Sequence, residues 1–187
     1  METTVNIQST PNPNALKFVL NVPVKSGGNC SYTGINECTD NPLAKALFEL
    51  SEAVREVYFF DNYITVTQDG TIGWNTFKDT IKDTITEKIK DHNPDFEGPK
   101  PTPSPSASQS SNTDLDKINT ILDETVRPYL QRDGGDLQVI SYDDKNLTIS
   151  YQGACGSCPG ARIGTLTAIQ RILQEKFDPE VTVSMAD

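Results

Sequence analysis

The chain has 187 residues, enough for one large or two small domains, and 26 acidic against 16 basic side chains give it a formal charge of -10,. About -4 of that charge lies before residue 94 and -5 after residue 112, and neither half clusters the Lys and Arg that phosphate neutralisation needs, so no nucleic-acid partner is expected. No apolar run approaches the roughly 20 residues that cross a bilayer, so no membrane partner is expected either.

In chain order, the opening METTVNIQSTPNPN has no basic stretch followed by an apolar one and lacks Arg-rich, acid-poor character,. With four cysteines, too few for a disulfide scaffold,, it leads us to expect a reducing, cytoplasmic setting. A first strand precedes TPNPN, whose prolines and asparagines favour a turn, and ALKFVL follows as a second strand. Cys30 and Cys38 stand in a Gly- and Asn-rich loop and are read as incidental thiols. Asn41 as N-cap and Pro42 at the first helical position open a helix whose apolar stripe is Leu43, Leu47 and Leu50. VREVYFF and YITVT, split by Asp61 and Asn62, read as a hairpin. Beyond Trp74, Phe77, Ile81, Ile85 and Ile89 recur at helical spacing. His92 is read as a solvated helix-end residue.

Composition breaks at PDFEGPKPTPSPSASQSSN, residues 94–112. Proline and serine dominate there, and such a segment cannot bury enough apolar surface to offset its ordering entropy. Near-alternating prolines favour a semi-stiff, extended tether over a Pro-rich partner motif. The expected organisation is therefore a domain at 1–93, a flexible linker at 94–112 and a domain at 113–187. Each domain is of the α+β class, a small α/β sandwich.

The second domain opens with TDLDKINTILDETVRPYL, a helix with Thr113 and Asp116 at capping-box-like spacing and Leu115, Ile118, Ile121, Leu122 and Val126 on one face. Pro128 ends or bends it. Asp133-Gly134-Gly135-Asp136 turns the chain into the strand LQVISY, and Asp143 to Asn146 turns it back into LTISYQ. QGACGSCPGARIGTL then holds Cys155 and Cys158. A helix marked by Ile163, Leu166, Ile169, Ile172, Leu173 and Phe177 follows, and VTVSM forms a last strand.

Pro159 directly after Cys158 sets both sulfurs near a helix N-terminus, where free N–H groups and the helix dipole favour thiolate. Gly153, Gly156 and Gly160 give the loop little side-chain cover and let it bend around a bulky inorganic centre. Three readings stand beside an inert pair in a tight turn. A thioredoxin-like thiol-disulfide oxidoreductase uses Cys-x-x-Cys at a helix start, but too few strands follow this one for that fold. A zinc ion or an iron-sulfur cluster needs about four protein ligands, and this domain offers two cysteines and no histidine. A symmetric dimer, each subunit giving Cys155 and Cys158, would complete the set.

DGGDLQVISYDDKNLTISYQGACGSCPGARIGTLTAIQRIL resembles the C-terminal domain of the NifU-like, Nfu-type iron-sulfur proteins, in which Asp-Gly-Gly-Asp precedes a hairpin and a Gly-x-Cys-x-x-Cys-Pro loop opens a helix. TPNPNALKF, PLAKALF, NYITVT and Trp74 resemble the Nfu N-terminal domain. The resemblance implies a scaffold or carrier, not an enzyme, that holds a 4Fe-4S cluster between two subunits and passes it to apo-proteins. Cys155 and Cys158 match its cluster ligands, and the implied partners are apo iron-sulfur clients, upstream assembly machinery and, on cluster binding, a second copy. The N-terminal domain is expected to dock partners. There is no Walker loop, dinucleotide fingerprint or nucleophile-base pair to suggest another chemistry. Nor is there the cysteine-rich assembly domain of full NifU, so building clusters unaided from cysteine sulfur is not expected.

Overall fold

Successive side chains of a strand point to opposite faces, and in the first half five strands join one sheet whose central strand, Tyr63–Gln68, is buried on both faces. The computed structural model describes residues 3–99, 112–156 and 159–186, without the side chains of 112 and 159–163. The chain divides into two compact units, Met1–Lys100 and Pro101–Asp187. Both are α+β. Among the described residues, no helix is long and apolar enough to cross a membrane.

The first unit contains β1 (Val5–Ser9), β2 (Ala15–Leu20), β3 (Asn29–Tyr32), α1 (Pro42–Glu49), β4 (Val54–Phe60), β5 (Tyr63–Gln68) and α2 (Trp74–Lys88). The strands form an antiparallel sheet in the order β1-β2-β5-β4-β3. Phe18, Val57, Phe59, Ile64 and Val66 share a core with Leu43 and Leu47 of α1 and Phe77, Ile81 and Ile85 of α2. The expected caps and turns are there: the Asn41 side chain accepts from the Ala44 N–H at 3.1 Å, and Asp61 adopts a left-handed φ of 46° in the β4–β5 turn. The Trp74 Nε1–H donates to the Pro13 carbonyl at 2.8 Å, pinning the TPNPN turn to the start of α2.

Three expectations in this unit need correction. The Cys30 segment is not loop but an edge strand, with Cys30 opposite Phe59. Four residues in a Gly- and Asn-rich setting carry too short an alternation to be read as a strand. Secondly, the unit continues past residue 93. Phe96 is buried among Tyr32, Phe59 and His92, with ring centroids 6.1, 5.4 and 5.5 Å away, and the Gly98 N–H donates to Asp40 Oδ2 at 2.6 Å. One aromatic side chain thus holds a proline-rich stretch that composition alone assigns to the linker. Residues 100–111, the larger part of that expected linker, lie outside the described residues. Finally, His92 is not a solvated helix end: its ring stacks on Phe59 at 5.9 Å, and its Nε2 donates to the Val24 carbonyl at 2.7 Å.

In the second unit, α3 (Asn112–Thr125) and α4 (Arg127–Arg132) are separated at Val126, with Pro128 in the first turn of α4. Pro128 therefore breaks the expected single helix, as its missing N–H and fixed φ require. Thr113 falls inside α3 instead of capping it. β6 (Gly135–Asp143) and β7 (Asn146–Gly153) form an antiparallel hairpin, α5 (Pro159–Lys176) crosses back, and β8 (Thr182–Met185) pairs parallel to β7. The hairpin turn places Asp144 and Lys145 at φ of 45° and 62°, the positive pair that a tight two-residue turn needs. Ile118, Leu122, Leu137, Leu147, Ile149, Ile169 and Leu173 make the core. The Ile163 side chain lies outside the described residues.

Phe96→Ala should cost the first unit about 3 kcal/mol or more, since a fully packed aromatic leaves a cavity that only partly collapses; chemical denaturation followed by near-ultraviolet signals checks this. His92 gives a pH dependence. Burial, opposed by the bond to the Val24 carbonyl, holds its pKa below the ordinary value. The unfolded chain therefore takes up the proton first on acidification. The His92 contribution is complete above about pH 6.5 and is lost as pH falls toward the depressed folded value. The urea midpoint of the first unit should fall more steeply between about pH 7.5 and 5 than in His92→Gln; parallel curves for the two proteins would refute this.

Candidate functional site

β7 ends at Gly153, whose φ of 62° swings the chain off the sheet. The turn that follows carries Ala154, Cys155 and Gly156, and α5 starts at Pro159. Cys155 therefore stands where a strand gives way to a helix. Cys158 lies outside the described residues. The loop is tied to the DGGD turn at its base by the Ala154 N–H, which donates to the Gly134 carbonyl, and it closes on itself through the Gly156 N–H, which donates to the Gly153 carbonyl, both at 3.1 Å.

The glycines before β6 then acquire separate reasons. Gly134 takes a φ of 84°, a region that side chains disfavour. Gly135 pairs with Gly153 across the hairpin, and its bare Cα faces the cysteine. A Cβ at 135 would stand 2.5 Å from Cys155 Sγ, 2.8 Å from the Cys155 N and 2.8 Å from the Gln152 carbonyl oxygen. Two of these three obstacles are backbone, which cannot swing aside. The sulfur is thus seated against a glycine, with 8% of the residue exposed.

The next residue, Asp136, is fully buried. Its Oδ1 accepts from the Leu137 N–H at 2.7 Å and its Oδ2 from Gln131 Nε2 at 3.0 Å. The guanidinium of Arg127 stands beside it, with Nε 3.6 Å from Oδ1. Arg127 also donates through Nη2 to Asn119 Oδ1 at 3.0 Å and pairs through Nη1 with Asp123. Sequence reasoning gave Asp136 a turn role and left Arg127 without one. A buried aspartate in a strand needs a cation, and the nearby Arg-Pro at a helix break was the available signal.

The other two described cysteines have a different environment. Burial pushes the Cys30 thiol up to about 11 and the Cys38 thiol up to about 12. Cys30 packs beneath Gly98, whose added Cβ would lie 2.4 Å from its Sγ. Neither thiol is poised to ionise at neutral pH. Among the described residues, no three His, Cys, Asp or Glu side chains gather as a metal site.

Comparison with known proteins bears on both units. A family model described as "Scaffold protein Nfu/NifU N terminal" matches residues 5–92, and one described as "NifU-like domain" matches residues 118–184. The chain belongs to the Nfu-type, NifU-like family. It is 30% identical over 178 residues to a Drosophila willistoni protein named "NFU1 iron-sulfur cluster scaffold homolog, mitochondrial", covering 95% of this chain and 61% of that one. An Arabidopsis thaliana protein named "NifU-like protein 4, mitochondrial" is 27% identical over 174 residues, covering 90% of this chain and 61% of its own length. This Nfu-type chain thus spans about three-fifths of the length of these curated relatives. A solution structure of a NifU-like protein from Saccharomyces cerevisiae shares 26% identity at a TM-score of 0.42, over 46% of this chain and 78% of the other. The mitochondrial names overturn the expected cytoplasmic setting. That expectation rested on the low cysteine count and the character of the opening residues, weak signals beside relatives named for another compartment.

Gly135→Ala should destabilise the second unit of this Nfu-type protein by about 1–3 kcal/mol through overpacking and displace the Cys155 sulfur. Thermal denaturation measures the first effect. Site-resolved alkylation of Cys155 measures the second, and unchanged values for both would remove the seat assigned to Gly135.

Proposed function

We propose that this protein is an iron-sulfur cluster carrier: Cys155 and Cys158 of two copies hold a 4Fe-4S cluster between them and release it to apo-proteins. The observation that carries this reading is the Cys155 sulfur, seated in a strand-to-helix loop against Gly135 in a chain of the Nfu type. A loop of this kind offers soft thiolate donors and backbone N–H groups to cluster sulfides, the donor set that iron-sulfur clusters take. Each copy has one cysteine pair in its second unit, so four thiolates require two copies,. The relatives' names support the scaffold role and a mitochondrial setting.

The cluster is cargo, and transfer is ligand exchange without net redox change. An acceptor thiolate forms a new Fe–S bond as a Cys155 or Cys158 thiolate leaves, and the departing sulfur takes up a proton as the loop closes. Sharing the ligands between two chains lowers the barrier, because separating the pair weakens every bond to the cargo together. The carrier is not an enzyme in this reading. The first unit, tethered through the residues beyond Pro99, docks clients and raises their effective concentration at the cluster.

Anaerobic reconstitution with iron and sulfide should give a brown protein absorbing near roughly 400 nm, with about four irons per two chains. Loading should convert monomers to dimers, since metal-ligand free energy becomes available to association only then. Cys155→Ser and Cys158→Ser should each lose nearly all bound iron, while Cys30→Ser/Cys38→Ser retains it. A cluster-loaded monomer by light scattering would end the shared-cluster proposal, as would wild-type iron in either single variant. A colourless dimer holding stoichiometric zinc would do the same.

A further inference from the structure

The Arg127–Asp136 pair remains outside the function described so far, and its place is unusual. A carboxylate with no exposure, on the first turn of a sheet and next to the core residue Leu137, is an expensive choice for stability alone. Well-packed apolar residues of similar volume are often as stabilising as a buried ion pair or more so. What such a pair supplies is a single arrangement, because any movement that separates the charges leaves one buried and uncompensated.

The arrangement fixed here is the one the Cys155 loop depends on. Residues 134 to 136 act in succession on that loop. The Gly134 carbonyl holds the Ala154 N–H, Gly135 leaves room for the sulfur, and Asp136 ties both to the helices through Gln131 and Arg127. Arg127 in turn grips Asn119 and Asp123 of α3. Asp136 also pairs with Gln152, two residues before the loop begins. Side chains alternate faces along a strand, so a slip of one residue between β6 and β7 would carry Gly135 off the sulfur and put Asp136 or Gly134 in its place. The ion pair opposes any such slip in which β6 moves against the helices, since that movement would pull Asp136 away from Arg127.

We propose that Arg127 and Asp136 are positioning residues for Cys155: their buried pair locks the β6–β7 register that seats the sulfur against Gly135. The proposal rests on the reading of Cys155 as a cluster ligand only for its purpose; the positioning itself is measured in cluster-free protein. Neither residue touches the cargo, and both act through the backbone of residues 134 and 135.

The test is site-resolved alkylation of the full-length, cluster-free protein by iodoacetamide at neutral pH, followed by peptide mass spectrometry. Cys30 and Cys38, both buried in the first unit, serve as internal controls. Arg127→Gln and Asp136→Asn should each speed Cys155 alkylation by about fivefold or more through local opening, at temperatures where circular dichroism shows a folded protein and the control rates are unchanged. The double variant leaves no uncompensated charge but has lost the lock as well, so it should also alkylate Cys155 several-fold faster than wild type, by less than the product of the two single effects, the non-additivity expected of a coupled pair. Arg127→Lys, which keeps the cation beside Asp136 but gives up the fork to Asn119 and Asp123, should also stay within about twofold. Should a single variant not fold, the double variant and Arg127→Lys carry the comparison, and a folded double variant that alkylates at the wild-type rate, or a large acceleration in Arg127→Lys, overturns the proposal. So do folded single variants that lower the melting temperature yet alkylate at the wild-type rate, because that result describes a structural pair with no hold on the loop. Iron content is read separately: full iron in Cys155→Ser would remove the cluster reading and leave the alkylation result standing.

Discussion

The second unit is organised around a missing methyl group. Gly135 and Cys155 occupy positions that a single added carbon would make incompatible, since two of the atoms it would strike are backbone. Closeness of this kind cannot be relaxed by rotating a side chain, so it constrains everything that fixes the two residues relative to each other. The β6–β7 pairing, the left-handed residues at Gly134 and Gly153, and the amide bridge from Ala154 to Gly134 are all ways of holding one short distance. The crossover through α5 to β8 closes the hairpin against the helices and supplies the core on which the loop rests.

The protein uses a glycine against a sulfur twice, in two different settings. Cys30 lies under Gly98 in the first unit, on an edge strand lined by aromatic rings, and burial pushes its thiol up to about 11. Such a thiol stays protonated and packs as a small apolar side chain. Cys155 is also buried against the core of its unit and against Gly135 of β6, but it lies in the turn that leads from β7 into α5. Position in the fold, more than the contact itself, is what sets Cys155 apart in the proposed reading, since a strand-to-helix turn is where a thiolate can meet a soft metal.

Much of this organisation was legible in the sequence. The α+β class, the Asn41 cap, the tight turn at Asp144 and Lys145 and the placement of Cys155 before a helix all follow from local chemistry, which is what sequence periodicity and turn residues report. The parts that were not legible depend on partners distant along the chain. Composition makes residues 94–99 a tether, but Phe96 finds a pocket between Tyr32 and Phe59 that only the folded sheet creates. His92 follows the same logic, stacking on a ring that no local pattern announces. In the DGGD turn, aspartate and glycine are common enough that their types alone suggest a turn and nothing more. Only the hairpin and the helix break at Pro128 bring Arg127 to Asp136 and Gly135 to the sulfur.

A carrier has to reconcile two demands that pull on the same loop. Holding the cargo favours a rigid seat, because a ligand already in place loses little conformational entropy on binding. Releasing it favours a loop that opens at modest cost, because each thiolate must leave before an acceptor can replace it. Distributing these demands over different interactions resolves the conflict. The buried charge pair and the glycine contact set where the sulfur rests, and they act through backbone that the cargo does not touch. In the proposed carrier the bonds to the cargo would be shared between two chains, so their rupture need not disturb either seat. In that reading each loop closes after transfer on the same arrangement from which it started, so the geometry proposed to receive a cluster would survive its departure.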